Sequence, residues 1–229
     1  MIKRFMISIM LTLLVVLAAC GDDGDEAENP EAPVEEQVEF SDEERVDPET
    51  LVATVNGYEI KGDRYNPIYT QVKMQMAQFG QDVSDLDLLK EQTLDVLVEQ
   101  QLIRQDAETI GIDITEGEVQ NEFDELKEQN EEQLNIVLEE FGLTEEEFKI
   151  QLRDDLITAE YIESELDIEV TDEEVEEFYE QLREENEEIE GLDEMEELIR
   201  AQLENQKTQE QLPEKVEELR ENAEIEHMI

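Results

Sequence analysis

Leu51-Val52-Ala53-Thr54-Val55-Asn56-Gly57-Tyr58-Glu59-Ile60 decides how the chain is read. The first five residues, with Val and Thr prominent, suit a pleated strand. Asn56-Gly57 is the strongest two-residue hairpin signal, because a type I′ turn needs positive φ at both positions. Tyr58-Glu59-Ile60 is then expected to pair back on the first strand. Beyond it the apolar spacing changes to a helical period and keeps it nearly to the end. A small hairpin therefore opens a mainly α domain.

Downstream, a helix is expected over residues 63–79, with Pro67 near its first turn and Gly80 as its stop. A longer one follows over 86–110 and ends at Gly111. It is apolar on two faces, with Leu89, Val96, Leu97, Ile103, Ala107 and Ile110 on one and Leu94, Val98 and Leu102 on another. A helix apolar nearly all round is expected at the centre. Three later starts carry capping boxes: Thr115 with Glu118, Thr144 with Glu147, and Thr171 with Glu174. Apolar stripes follow the second (Phe148, Leu152, Leu156, Ile162) and the third (Val175, Phe178, Tyr179, Leu182). A last helix is expected over 192–222, striped by Leu212, Val216 and Leu219 and kinked at Pro213. The tail Glu224-Ile225-Glu226-His227-Met228 alternates as a strand does. Gly111, Gly142 and Gly191 cut the pattern too often for a heptad rod.

Upstream, Lys3 and Arg4 precede an uncharged apolar run that is too short to span a bilayer and suits a signal peptide over residues 1–19. It ends in Leu17-Ala18-Ala19-Cys20-Gly21, which resembles the lipobox of bacterial lipoprotein precursors. That resemblance implies a thioether-linked diacylglycerol on Cys20 and cleavage before it. Cys20 is the sole cysteine, so the fold relies on its core rather than on disulfides. Residues 21–50 hold 14 acidic side chains against Arg45, with Pro30, Pro33 and Pro48. Such a composition is expected to stay disordered. Residues 20–50 thus read as a lipidated linker spanning about 30 Å or more, and residues 51–229 as the folded domain.

The 229 residues include 68 acidic and 16 basic side chains, a formal charge of -52. Nucleic acid is excluded as a partner, since phosphate contacts need clustered Lys and Arg. Anionic lipid would repel the body, so membrane attachment falls to the lipid anchor. Like charges at i,i+3 and i,i+4 destabilise helices unless ions screen them. A salt-tolerant or alkaliphilic source is expected, and a thermal midpoint that fails to rise with added NaCl would contradict this.

Signals for catalysis, metals or cofactors are weak. His227 is the only histidine, the nine glycines are scattered, and no calcium-loop spacing occurs. Carboxylate pairs are too numerous to single out an acid and a base; a solvated face explains them. No catalytic residue, metal ligand or cofactor is expected. Soft apolar side chains stand out instead: Met74, Met76, Phe79, Phe123 and Phe141. Core packing explains each, yet Met74 and Met76 cannot face the same way on one helix. These five are the candidates for an accessible apolar groove.

Val52-Ala53-Thr54-Val55-Asn56-Gly57 with Ile60, then 94–103, then 107–119, then Gly142-Leu143-Thr144-Glu145-Glu146-Glu147-Phe148, resemble in order and spacing the SurA/PrsA family of extracytoplasmic chaperones. The resemblance covers roughly residues 51–180. In that family a parvulin-type prolyl isomerase domain usually follows a segment like Val170 to Tyr179. Here only about ten residues separate that helix from the last one, and the isomerase domain is missing. The resemblance therefore implies a SurA-N-like chaperone domain alone, with the C-terminal helix packed on the N-terminal part and the tail strand near Ile225 paired with the strand near Val55. It implies an ATP-independent, lipid-anchored holdase or foldase, binding through an apolar groove, on the outer face of the cell membrane, of the Gram-positive type. The partners are unfolded or nascent secreted polypeptides, and the acidic body suits basic ones. A divergent prolyl isomerase and a non-catalytic surface scaffold are the alternatives.

Overall fold

The computed structural model describes residues 40–41, 44–185 and 189–229. The expected signal peptide, Cys20 and most of the linker lie outside these residues.

Strands β1 (Leu51–Val55) and β2 (Tyr58–Lys61) form the hairpin. Asn56 and Gly57 take φ of 53° and 82°, as a type I′ turn requires. Strand β3 (Ile225–His227) pairs antiparallel with β1, Val55 opposite Ile225, in the order β2-β1-β3. The two ends of the domain therefore share one sheet. Asn56 serves both the turn and this closure. Its amide donates to Glu224 O (2.8 Å), and its Oδ1 accepts from Glu224 N (2.9 Å).

Among the described residues six helices follow: α1 (Gly62–Gln78), α2 (Leu86–Ile110), α3 (Glu116–Glu140), α4 (Glu145–Glu165), α5 (Asp172–Glu185) and α6 (Leu192–Glu221). Helix α2 is the central one and packs against α1, α4, α6 and β1. Its buried Leu89, Leu94, Leu97, Val98, Leu102, Ile103 and Ala107 serve two cores. The first lies under the sheet and α1; the second lies among α2, α3 and α4. Gly111 closes α2 at φ 91°, and Ile112 N–H returns to Ala107 O (2.9 Å). All three capping boxes form, with Glu118, Glu147 and Glu174 each accepting from the amide of its Thr at 2.8–2.9 Å.

Three details differ from the sequence reading. Helix α1 begins at Gly62, which puts Pro67 in its second turn. Helix α6 runs through Pro213 as one element. The break falls instead in α3 at Asn130 (φ -159°, ψ 77°), whose Oδ1 accepts from Gln133 N (3.2 Å) and so caps the second half.

A larger difference concerns residues 40–41 and 44–50, expected as disordered linker. They form a strap on α1. Phe40 and Val46 pack against the first core. The Asn66 amide clamps Val46 from both sides, accepting from its N–H (3.0 Å) and donating to its carbonyl (2.9 Å). Helix α1 has no side-chain N-cap. Its first two amides donate instead to Thr50 O (2.9 Å) and Pro48 O (3.0 Å) of the strap, which satisfies donors that every helix start leaves open. Composition alone reads this segment as too polar to fold; a preformed surface needs only a few contacts to hold it.

Tyr161 of α4 ties the second core to α6. Its buried hydroxyl donates to Asp106 (2.5 Å), which Lys215 approaches at 3.8 Å. Tyr161→Phe should cost about 1–3 kcal/mol, because it leaves a part-buried carboxylate short of a donor. Urea unfolding of the two proteins measures it.

Candidate functional site

Polar residues interrupt the apolar girdle of α2 at Gln100, Arg104 and Glu108. The four-residue spacing puts them on one face, and that face is the floor of a groove. One shallow hollow lies between α1 and α4. Pro67 and Ile68 line it from α1, Gln100 from α2, and Ile150 and Gln151 from α4. A second lies beside Tyr58, Arg104, Ile112, Arg153 and Ile157.

An ion cluster links the two. Arg64 of α1 donates to Asp154 of α4, and Arg104 of α2 approaches the other Asp154 oxygen at 3.7 Å. Arg104 also donates to Gln101. Burial, then the charge of Arg64, lowers the Arg104 pKa, with Asp154 opposing; a guanidinium stays charged regardless. Three of the chain's eight arginines thus gather in a strongly acidic protein. Arg153 completes the set, held only at 3.8 Å by the exposed Asp113.

Two features suit this groove to a polypeptide. Ile150 is 50 % exposed beside Pro67 and Ile68, an open seat for an apolar side chain. The Oε1 of Gln100 is buried and has no hydrogen-bond partner among the described residues. Buried acceptors are nearly always satisfied; this one takes a main-chain N–H from the groove only if the Gln100 side chain turns outward.

The five candidates from sequence lie elsewhere. Met76 and Phe123 are 5 % and 2 % exposed and belong to the two cores. Met76 shares the α1 stripe of Tyr65, Tyr69 and Val72. Phe123 stands edge-on to Phe148 (centroids 6.0 Å apart), with Lys149 over its ring at 4.9 Å. Neither reaches a partner from there. Met74 and Phe141 are half-buried, and Phe79, the C-cap of α1, is 63 % exposed. They do not line the two hollows. The groove residues escaped notice because polar positions at i,i+4 on a long helix look like any solvated face. The one signal was their place inside a helix otherwise apolar all round.

His227 lies exposed on β3, opposite Ala53. Among the described residues no three His, Cys, Asp or Glu side chains are grouped to hold a metal, and no helix is long and apolar enough to cross a membrane.

Comparison with known proteins agrees with this architecture. A foldase protein PrsA of Caldanaerobacter subterraneus subsp. tengcongensis is 33 % identical over 145 residues, covering 58 % of this chain and 43 % of that protein. A foldase protein PrsA of Clostridium kluyveri is 29 % identical over 153 residues, covering 57 % and 45 %. The chain therefore spans less than half the length of these curated relatives. The family model of the SurA-like N-terminal domain matches residues 3–162, well over half of the chain. The chain belongs to the SurA-like N-terminal domain family.

Proposed function

We propose that the protein is a non-catalytic chaperone that holds unfolded extracytoplasmic polypeptides, moored to the outer face of the cell membrane by lipid on Cys20. The observation that carries the holding role is the groove over α2, where an apolar seat at Ile150 lies beside the unpartnered acceptor of Gln100. Relatives named as foldases support it. Burial of client side chains on Pro67 and Ile150 supplies the affinity, and release is passive. Anchoring is supported by Leu17-Ala18-Ala19-Cys20 after an apolar leader. Only residues 186–191 connect α5 to α6, which leaves no room there for an isomerase domain.

Chain 20–229 carrying Cys20→Ser should suppress light scattering by a reduced, aggregating client. Ile150→Glu places a charge in the seat without touching the core, and should weaken suppression about tenfold, the worth of one buried aliphatic side chain. No suppression by the parent chain at any ratio would sink the reading. In cells, Cys20→Ser should move the protein from the membrane fraction to the medium.

A further inference from the structure

Helix α5 packs on the first half of α6 and forms an arm with a core of its own. Val175, Phe178 and Leu182 meet Leu192, Met195 and Ile199, at helical spacing on both sides. Two helices enclose little. Val175 and Ile199 are buried, but the other four remain half-buried. Leu198, about 60° around the helix from Met195, stands 64 % exposed at the edge of this seam.

The surroundings are more acidic than the rest of the domain. Residues 172–203 carry fifteen acidic side chains against Arg183 and Arg200, a formal charge of -13 over 32 residues. Residues 40–171 carry 36 against nine, or -27 over 132 residues, about half that density. The two arginines are already engaged: Arg200 with Asp172 (2.8 Å) and Glu196 (3.1 Å), Arg183 with Glu180 (3.0 Å). An apolar seam inside such a field selects its partner by charge as well as by area.

We propose that this arm binds basic amphipathic polypeptide segments, seating their apolar side chains along Phe178, Leu182, Met195 and Leu198 while their Lys and Arg meet the flanking carboxylates. That the partner is a client rests on the chaperone reading; the place and the charge preference rest on the arm. A second copy is disfavoured, because two arms would set -13 against -13. Anionic lipid is repelled for the same reason.

The test uses chain 20–229 with Cys20→Ser and two labelled amphipathic helical peptides with identical leucines, one with Lys and one with Glu on the polar face. By fluorescence anisotropy the Lys peptide should bind at least about tenfold more tightly at about 50 mM NaCl, and lose most of that advantage at about 500 mM. Leu198→Gln, at a site too exposed to affect folding, should weaken binding about fivefold or more. Equal affinity for both peptides overturns the proposal. So does Lys-peptide binding that survives Leu198→Gln but is lost in Ile150→Glu, which places the site in the groove. Self-association abolished by Leu198→Gln would instead assign the arm to a second copy. Aggregation suppression without binding of the Lys peptide overturns the arm and leaves the chaperone reading standing; loss of both overturns both.

Discussion

Lys73→Ala should destabilise the folded domain by about 3–5 kcal/mol, the usual cost of removing one partner from a buried ion pair. Lys73 sits on α1 and pairs with Glu44 of the strap, and both side chains are almost wholly buried. Glu44 Oε1 also accepts from Tyr69 Oη (3.1 Å), and Oε2 accepts from Ser41 N (2.6 Å) and Ser41 Oγ (2.8 Å). The Lys73 ammonium lies 5.0 Å from the Phe40 ring centroid. Alanine removes the cation and leaves the carboxylate in place. The strap then has two courses: keep an uncompensated charge inside, or peel away and expose Phe40 and Val46. Either lowers the urea midpoint. Glu44→Gln combined with Lys73→Met keeps the shape without the charges, and should recover most of the loss. A single Lys73→Ala costing under about 1 kcal/mol would show that the strap is not held as described.

The same latch has a pH signature. Desolvation raises the Glu44 pKa, but the hydrogen bonds from Lys73, Ser41 and Tyr69 outweigh it and hold the carboxyl at about 2, against 4.5 for an ordinary Glu. A depressed folded pKa gives stability that is present above the unfolded value and is lost as pH falls through the folded one. The window is therefore between about pH 4.5 and 2, and the size about 3 kcal/mol. Many carboxylates titrate in that range, so the measurement is a difference. The stability gap between the parent and Glu44→Gln should shrink steadily over this window and stay constant above pH 5.

How far these features were legible depends on how local their causes are. The Asn56-Gly57 turn, the stop at Gly111 and the three Thr–Glu boxes each involve residues within five positions of one another, and each forms as the local chemistry dictates. Pairing of Ile225 with Val55 spans the whole domain, and it was readable only because the family resemblance supplied the topology. The strap was not readable. Its stability comes from Asn66, Gly62 and Lys73, which lie far along the chain, while its own composition argues for disorder. The groove failed for the opposite reason. Aromatic and sulfur side chains are the obvious candidates for holding a client, but they are also the best core fillers, and Met76 and Phe123 went to the cores. The groove over Gln100 and Arg104 is shaped by which helices meet there, a property of no single segment.

Gly62→Ala should cost about 2 kcal/mol, although alanine is the better helix former. Two effects compete at this position. Intrinsic propensity favours Ala over Gly by at most about 1 kcal/mol, and less in a first turn. Against it, a Cβ on Gly62 would lie 2.2 Å from Asp47 O and 2.8 Å from Val46 Cγ2. The nearer atom is backbone, so no rotamer change relieves the contact. The strap must withdraw, and it takes with it the hydrogen bonds from Gly62 N to Thr50 O and from Asp63 N to Pro48 O, and it strains the Asn66 clamp on Val46. At about 1 kcal/mol for each bond the loss exceeds the propensity gain. Amide exchange should quicken at Val46 and in the first turn of α1 while the β1–β3 ladder stays protected. Gly117→Ala in α3 is the control. Among the described residues, a Cβ there would meet Thr115 Oγ1 at 3.9 Å and nothing nearer outside its own helix backbone, and its φ is not positive. There the propensity term acts alone, and stability should rise by up to about 1 kcal/mol. If both substitutions stabilise, the strap does not rest on Gly62; opposite signs follow only if it does.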